Sequence, residues 1–141
     1  MNNIPETDDS IIIGYSNVSK LLSMQVCVAD KVNGKIEATF QTTHSFENSI
    51  GNIQGGILTA MLDDLMGYAL GITLPTNRFA PTANLNVSFI RPAAVGLLHG
   101  KGEVLKSEGD LYYLAAKLYN AQGQLLAAAT SKAKAGVINR A

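Results

Sequence analysis

The sequence predicts an α+β fold in which one long apolar helix lies across an antiparallel sheet of about six strands. Three observations predict it. Residues from Ile57 to Gly71 have helical length and are rich in helix formers: Leu58, Ala60, Met61, Leu62, Leu65, Met66, Ala69 and Leu70. The stretches on either side alternate apolar and polar residues with a period of two, as half-buried strands do. Turn sequences join those stretches, and strands do not alternate with helices, which speaks against a doubly wound parallel sheet.

Taken in order, residues Met1 to Gly14 read as a loose arm whose isoleucines, Ile11 to Ile13, dock on the body. Ser16 is placed to cap a short helix over Val18 to Met24, with Leu21 and Leu22 on its buried side. Gln25 to Ala29 forms a first strand, and Asn33-Gly34 suits a two-residue hairpin turn. In the second strand, Lys35 to Thr42, Ile36, Ala38 and Phe40 share one face. His44 to Gln54 is a loop, and Pro75 marks the exit from the long helix. Four more strands follow: Thr82 to Ile90, Leu97 to Lys106, Leu111 to Asn120 and Leu125 to Ala135. In the first of these Ala83, Leu85, Val87 and Phe89 share a face against Asn84, Asn86 and Ser88; in the second, Gly100 and Gly102 mark a bend or bulge.

The chain's 141 residues suffice for one domain with a core. Its 47% hydrophobic content against 16% charged is high enough that some apolar surface is expected in a subunit interface. The formal net charge is zero, which speaks against a nucleic-acid footprint. Cys27 is the only cysteine, so no intrachain disulfide forms, and it reads as a small core residue rather than a nucleophile. No 18-residue uncharged apolar run exists, so no transmembrane helix is expected, and the acidic N-terminus lacks the basic region of a secretory signal. A cytoplasmic protein is expected.

Two features carry chemistry. Gly55 and Gly56 leave bare backbone at a helix N-terminus, where free N–H groups and the positive end of the dipole suit an anion or a carbonyl oxygen gaining charge. Glycines there also serve simply to permit a tight turn. The helix then carries Asp63 and Asp64 with no lysine or arginine between Lys35 and Arg78. Gly56, Ala60, Asp63, Gly67 and Leu70 fall on one face, a mostly small row that lets another chain or a ligand approach. Asp63 is therefore the catalytic candidate, with a satisfied structural carboxylate as the other reading. Asp64, about 100° further round, is assigned to the surface or to capping.

Other constellations fail. His44 and His99 have no metal-spaced partners, so no metal is expected. There is no G-x-S-x-G elbow and no phosphate-binding glycine motif. Tyr112, Tyr113 and Tyr119 read as sheet and interface residues.

With these residues in view, the chain from about Leu21 to Gly136 resembles the hotdog-fold thioesterases, in the PaaI-like branch of the 4-hydroxybenzoyl-CoA thioesterase superfamily. The resemblance rests on N-x5-[HQ]-G-G at Asn48, Gln54, Gly55 and Gly56; on Asp63, nine residues after Gln54; and on the strand T-x-x-L-N-V-S-F-x-R-P-A from Thr82 to Ala93. It implies a single hotdog domain over 16–141 behind a flexible arm over 1–15. It implies hydrolysis of acyl-CoA thioesters, with each active site shared by two subunits of a homodimer and dimers pairing into tetramers. The Gly55 N–H would polarise the thioester carbonyl, and Asn48 would orient the carbonyl or the water. Asp63 of the neighbouring subunit would act as general base or nucleophile, with Thr82 helping to hold the water. Gln54 stands where the commonest family residue is His, so a role that needs an imidazole is in question.

Substrate contacts are expected from Gly56, from Asn84, and from Ile57, Leu58, Met61 and Met66 as walls of an acyl slot. Arg91, with Lys132 and Lys134, is expected to face the CoA phosphates. No cofactor is expected, coenzyme A being part of the substrate, and neither nucleic acid nor membrane is an expected partner. Two alternatives stand beside hydrolysis: a hotdog protein that binds acyl-thioesters without turnover, and a hotdog dehydratase or hydratase. The latter usually needs a histidine–carboxylate pair, and no histidine lies in or near the helix.

Overall fold

A computed structural model of the chain describes residues 13–75 and 78–137. Its elements run α1 (Asn17–Leu21), β1 (Met24–Asp30), β2 (Lys35–Gln41), α2 (Gly55–Gly71), β3 (Arg78–Phe79), β4 (Thr82–Phe89), β5 (Leu97–Glu108), β6 (Leu111–Tyr119), β7 (Leu125–Lys134) and β8 (Gly136–Val137). Six strands form one antiparallel sheet in the order β1-β2-β5-β6-β7-β4. The sheet wraps one face around α2, which packs chiefly on β5 and β6. β3 and β8 pair as a separate two-stranded ribbon that the sequence reading does not anticipate. Most of the 1–15 arm, including Ile11 and Ile12, lies outside the described residues.

The core follows the two periodicities. Ile36, Ala38 and Phe40 of β2 point inward, and Leu58, Met61, Leu62, Leu65 and Met66 of α2 meet them, all buried. Each fully buried side chain of this size contributes roughly 1.5–3 kcal/mol of transfer free energy. Gly100 and Gly102 mark neither a bend nor a bulge; the register shift of β5 lies further on, between Val104 and Lys106. The two glycines lie under the helix. A Cβ at Gly100 would sit 2.4 Å from Leu65 Cδ1, and one at Gly102 would sit 2.3 Å from the Leu65 carbonyl oxygen. Only glycine lets α2 come this close to the sheet.

Several local expectations change. The β1–β2 loop has four residues, 31–34, rather than two, because Asp30 accepts hydrogen bonds from the Asn33 backbone N (3.1 Å) and Nδ2 (2.7 Å) and Gly34 takes φ +61°. Ser16 does cap α1, accepting from Ser19 N at 3.1 Å, but the helix ends at Leu21. Leu22 is buried whereas Leu21 is exposed. Cys27 is exposed rather than in the core, because it falls where the β1–β2 register shifts and the alternation breaks.

Among the described residues β4 is an edge strand, paired only with β7. Leu85 and Val87 pack on the core, and Asn84 and Asn86 lie on the opposite, outward face. Strict alternation would put Thr82 outward with Asn84. The register shift between Thr82 and Asn84 turns its hydroxyl inward instead, toward α2.

Candidate active site

The start of α2 is open. Gln54 is its N-cap by backbone alone: its carbonyl accepts from Ile57 N and Leu58 N, and its side chain makes no cap bond. Among the described residues no acceptor pairs with the Gly55 or Gly56 N–H. The first turn carries no acidic residue, so no carboxylate competes for those donors. These are the orphan N–H groups of a helix start, aligned with its positive dipole end.

Asn48 closes the preceding loop. Its Oδ1 accepts from Ile50 N and Asn52 N, both at 3.1 Å, and Glu47 and Ile53 form a β-bridge. Ile53 N donates to the Ala93 carbonyl and Gln54 N to the Phe46 carbonyl. These bonds fix the loop beside the end of β4. Between the two lies a cleft of about 350 Å³ that includes Asn48, Ile53, Gly55, Leu58, Phe89 and Arg91. Arg91 is exposed at its mouth and donates Nη1 to the Leu125 carbonyl at 2.9 Å.

Asp63 lies two turns further along α2, half-buried, and accepts from Thr82 Oγ1 at 2.9 Å. The same flank carries Gly56 and Gly67, both exposed, and a Cβ at either would meet open space. The helix is thus less buried than its composition suggests. The row of small residues is its bare side, although Leu70, assigned to the same row, is buried.

Asp64 departs most from expectation. It is neither a surface residue nor a cap. It is half-buried beneath α1, where Ser19 Oγ donates to its Oδ2 at 2.7 Å. The buried Ser19 hydroxyl also lies 2.9 Å from the Tyr68 hydroxyl and 2.8 Å from Ser16 Oγ, and Ser16 N donates to Tyr68 at 2.9 Å. Burial pushes the Asp64 carboxyl above the ordinary carboxylate value; the Ser19 hydrogen bond pulls it partly back, and the Asp63 charge adds to the rise.

The fold therefore brings Asn48, Gly55 and Arg91 to one cleft and Thr82 to Asp63. Eight residues at 1.5 Å rise put Gly55 and Asp63 about 12 Å apart along one helix. Met61 and Met66 are fully buried against the sheet, Met66 sulfur accepting from Ser131 Oγ at 3.2 Å, so they line no slot. Leu58 reaches the cleft, Ile57 packs half-buried on the core, and Asn84 faces away from the helix beside Asn86. Lys132 pairs with Asn84 in register, on that same outer face. Sequence reasoning missed Phe89 and Ile50, which also line the cleft. The inward face assigned to Phe89 was the one available signal.

A family model for the thioesterase superfamily matches residues 50–127, more than half of the chain. Among solved structures, the chain is similar to a phenylacetic acid degradation-related protein from Ralstonia eutropha JMP134, with 32% identity, a TM-score of 0.82, and 86% of this chain and 92% of that one covered. It shares the fold of the PaaI protein of the E. coli phenylacetic acid degradation operon (20% identity, TM-score 0.78, 88% of this chain and 86% of that one). It also shares the fold of a thioesterase from Haemophilus influenzae (15% identity, TM-score 0.80, 89% and 87%). No curated protein matches it. Family model, sheet order and central helix agree: this chain is a hotdog-fold member of the thioesterase superfamily, with PaaI among its structural neighbours.

Proposed function

We propose that the protein hydrolyses acyl-CoA thioesters in a site built from two copies of the chain. The carrying observation is that the two half-sites stand on one helix, about 12 Å apart by its rise. Thioester hydrolysis needs donors for the developing oxyanion and a base for the attacking water within a few ångströms of the same carbon. The free Gly55 N–H meets the first need and the Thr82-held Asp63 carboxylate the second, and within one chain they are too far apart to share a substrate. A two-fold axis facing one α2 against another brings the Gly55 of one copy to the Asp63 of the other and makes two equal sites. The bare flank of Gly56, Ala60, Asp63 and Gly67 permits that approach, and the unpaired edge of β4 beside it offers a further surface for the second copy.

In this reading the thioester carbonyl oxygen accepts from Gly55 N–H. Asp63 from across the interface removes a proton from water as the water attacks the carbonyl carbon. The tetrahedral intermediate then collapses, the C–S bond breaks, and the thiolate leaves and takes up a proton. Thr82, donating to Oδ1, leaves Oδ2 of Asp63 for the water. Asn48 already spends its Oδ1 within the loop, so only its Nδ2 is left to orient substrate.

The test is thiol release from phenylacetyl-, 4-hydroxybenzoyl-, butyryl-, hexanoyl- and decanoyl-CoA. Wild type, Asp63→Asn and Gly55→Pro, which lacks the N–H and suits the first position of a helix, are each assayed alone, and the two variants are then co-expressed. Wild type should turn over at least one ester. Each variant alone should lose about 10² or more of the rate, as for removal of a general base or an oxyanion donor. Half of randomly assembled dimers are mixed and hold one intact site of two, so co-expression should restore about a quarter of wild-type activity. No rescue would place Asp63 and Gly55 in the same chain's site and sink the two-copy reading. No turnover with retained acyl-CoA binding would make this an acyl-thioester-binding protein.

A further inference from the structure

We infer that Phe89 is the specificity-determining wall of an acyl pocket beside Gly55, and that this pocket admits compact acyl groups and refuses long ones. The inference rests on the thioesterase reading and adds the substrate class.

The ring of Phe89 lies on the start of α2. A Cβ built on Gly55 would be 3.3 Å from its Cζ and 3.4 Å from its Cε1. The residue whose N–H is free for a carbonyl therefore touches the ring edge through its Cα side. The ring is nevertheless 56% exposed, so its other face opens into the cleft. Across the cleft stands Ile50, 79% exposed at the loop tip, and the floor is Ile53, Leu58 and Ala93, all buried. Whatever substituent of the carbonyl turns this way is held between an aromatic face and an isoleucine, on an apolar floor.

Two arms leave a thioester carbonyl, and the chemistry of the cleft chooses between them. The CoA arm is long, amide-rich and polyanionic. The cleft has one cation, Arg91, whose Nη1 is tied to the Leu125 carbonyl, and its floor is closed by buried side chains. It suits the acyl arm and offers the polyanionic arm no free partner, so the CoA arm leaves by another side. At roughly 30 Å³ for each water-sized group, 350 Å³ has room for on the order of ten heavy atoms. That accommodates a hexanoyl or phenylacetyl group with room to spare, whereas a decanoyl chain must coil to use all of it and gives up its torsional freedom, and longer chains are excluded. Removing the ring opens the side that limits length, whereas Gly55 and its N–H stay where they are.

The test measures affinity, so it does not depend on turnover. Hexyl-, 2-phenylethyl- and decyl-CoA thioethers are titrated by calorimetry into wild type, Phe89→Leu and Phe89→Ala, each checked by thermal melting. Wild type should bind the hexyl and phenylethyl compounds more tightly than the decyl one. Phe89→Ala should raise the decyl-to-hexyl affinity ratio by about tenfold, the scale at which apolar pockets discriminate size, and Phe89→Leu should fall between. A ratio unchanged in both variants, even if all affinities drop together, overturns the inference, because a merely structural ring would weaken every ligand alike. Wild type favouring the decyl compound overturns it as well. If wild type hydrolyses acyl-CoAs while the ratio stays flat, the thioesterase reading survives and only the pocket assignment falls. If none of the three thioethers binds and no ester is turned over, both fall.

Discussion

Asp63 and Asp64 are adjacent in the chain, identical in chemistry and opposite in setting. Asp63 faces the bare flank of α2, with one hydrogen bond from the edge strand and glycines on either side along the helix. Asp64 faces α1, in a closed cluster with Ser19, Ser16 and Tyr68, and neither aspartate forms an ion pair among the described residues. One residue of advance rotates a side chain by about 100°, enough to exchange an open carboxylate for a covered one. The lesson is that cover, not residue type, divides the roles. An open carboxylate with one partner keeps a lone pair for a reacting proton. A covered one, though it too accepts a single hydrogen bond, spends it on holding two elements together.

The sharpest way to break this comparison is to neutralise each aspartate in turn. Asp63→Asn should cut thiol release by about 10² or more while leaving the urea midpoint close to wild type, since it loses only a partly exposed acceptor. Asp64→Asn should leave turnover near wild type, because it touches nothing at the helix start. Equal rate losses in the two variants would mean that the clasp, not the base, is being read out.

Truncation should invert the ranking. Asp64→Ala takes the charged acceptor from the fully buried Ser19 hydroxyl, which must then turn to Ser16 or Tyr68, and it loosens the cluster. Losing a hydrogen bond to a charged group costs about 1.5–3 kcal/mol, so urea unfolding should lose up to that much, and Ser19→Ala in the same background should add less than it costs in the wild type. Asp63→Ala should cost less than Asp64→Ala. A larger loss at Asp63 would show the bare flank to be structural.

How much of this was legible beforehand follows the range of the cause. α2 and the strands of the main sheet were legible because period-two and helical patterns are local, and the four later strands lie within a few residues of where alternation puts them. Pairing Thr82 with Asp63 required the family resemblance, since alternation alone turns Thr82 the wrong way and only the register shift corrects it. Gly100 and Gly102 were visible but misread: a glycine pair looks the same whether it bends a strand or admits a helix. Met61 and Met66 were assigned to a slot because an apolar helix does not announce which side meets the sheet. The clasp on Asp64 was not legible. It joins residues 45 apart through Ser19, inside a short helix whose only local signal was its cap at Ser16.

The smallest expected effect concerns the pH dependence of the clasp. Asp64 has a folded-state pKa above its ordinary carboxylate value of 3.8, burial being the main cause. The folded protein therefore holds this proton more tightly than the unfolded chain does. Above the raised value Asp64 is charged in both states and its desolvation weakens the fold; that penalty disappears as pH falls below 3.8, where it is protonated in both. Asn carries no charge and still offers an oxygen to Ser19. Asp64→Asn should therefore melt slightly higher than wild type at pH 8, and its advantage should shrink as pH drops through the window between the raised value and 3.8. Thermal melts of both proteins at pH 8, 6, 5 and 4 read the difference directly. An advantage that grows toward acid would mean that the ionised Asp64 stabilises the fold, and that Ser19 and Tyr68 outweigh the cost of covering it.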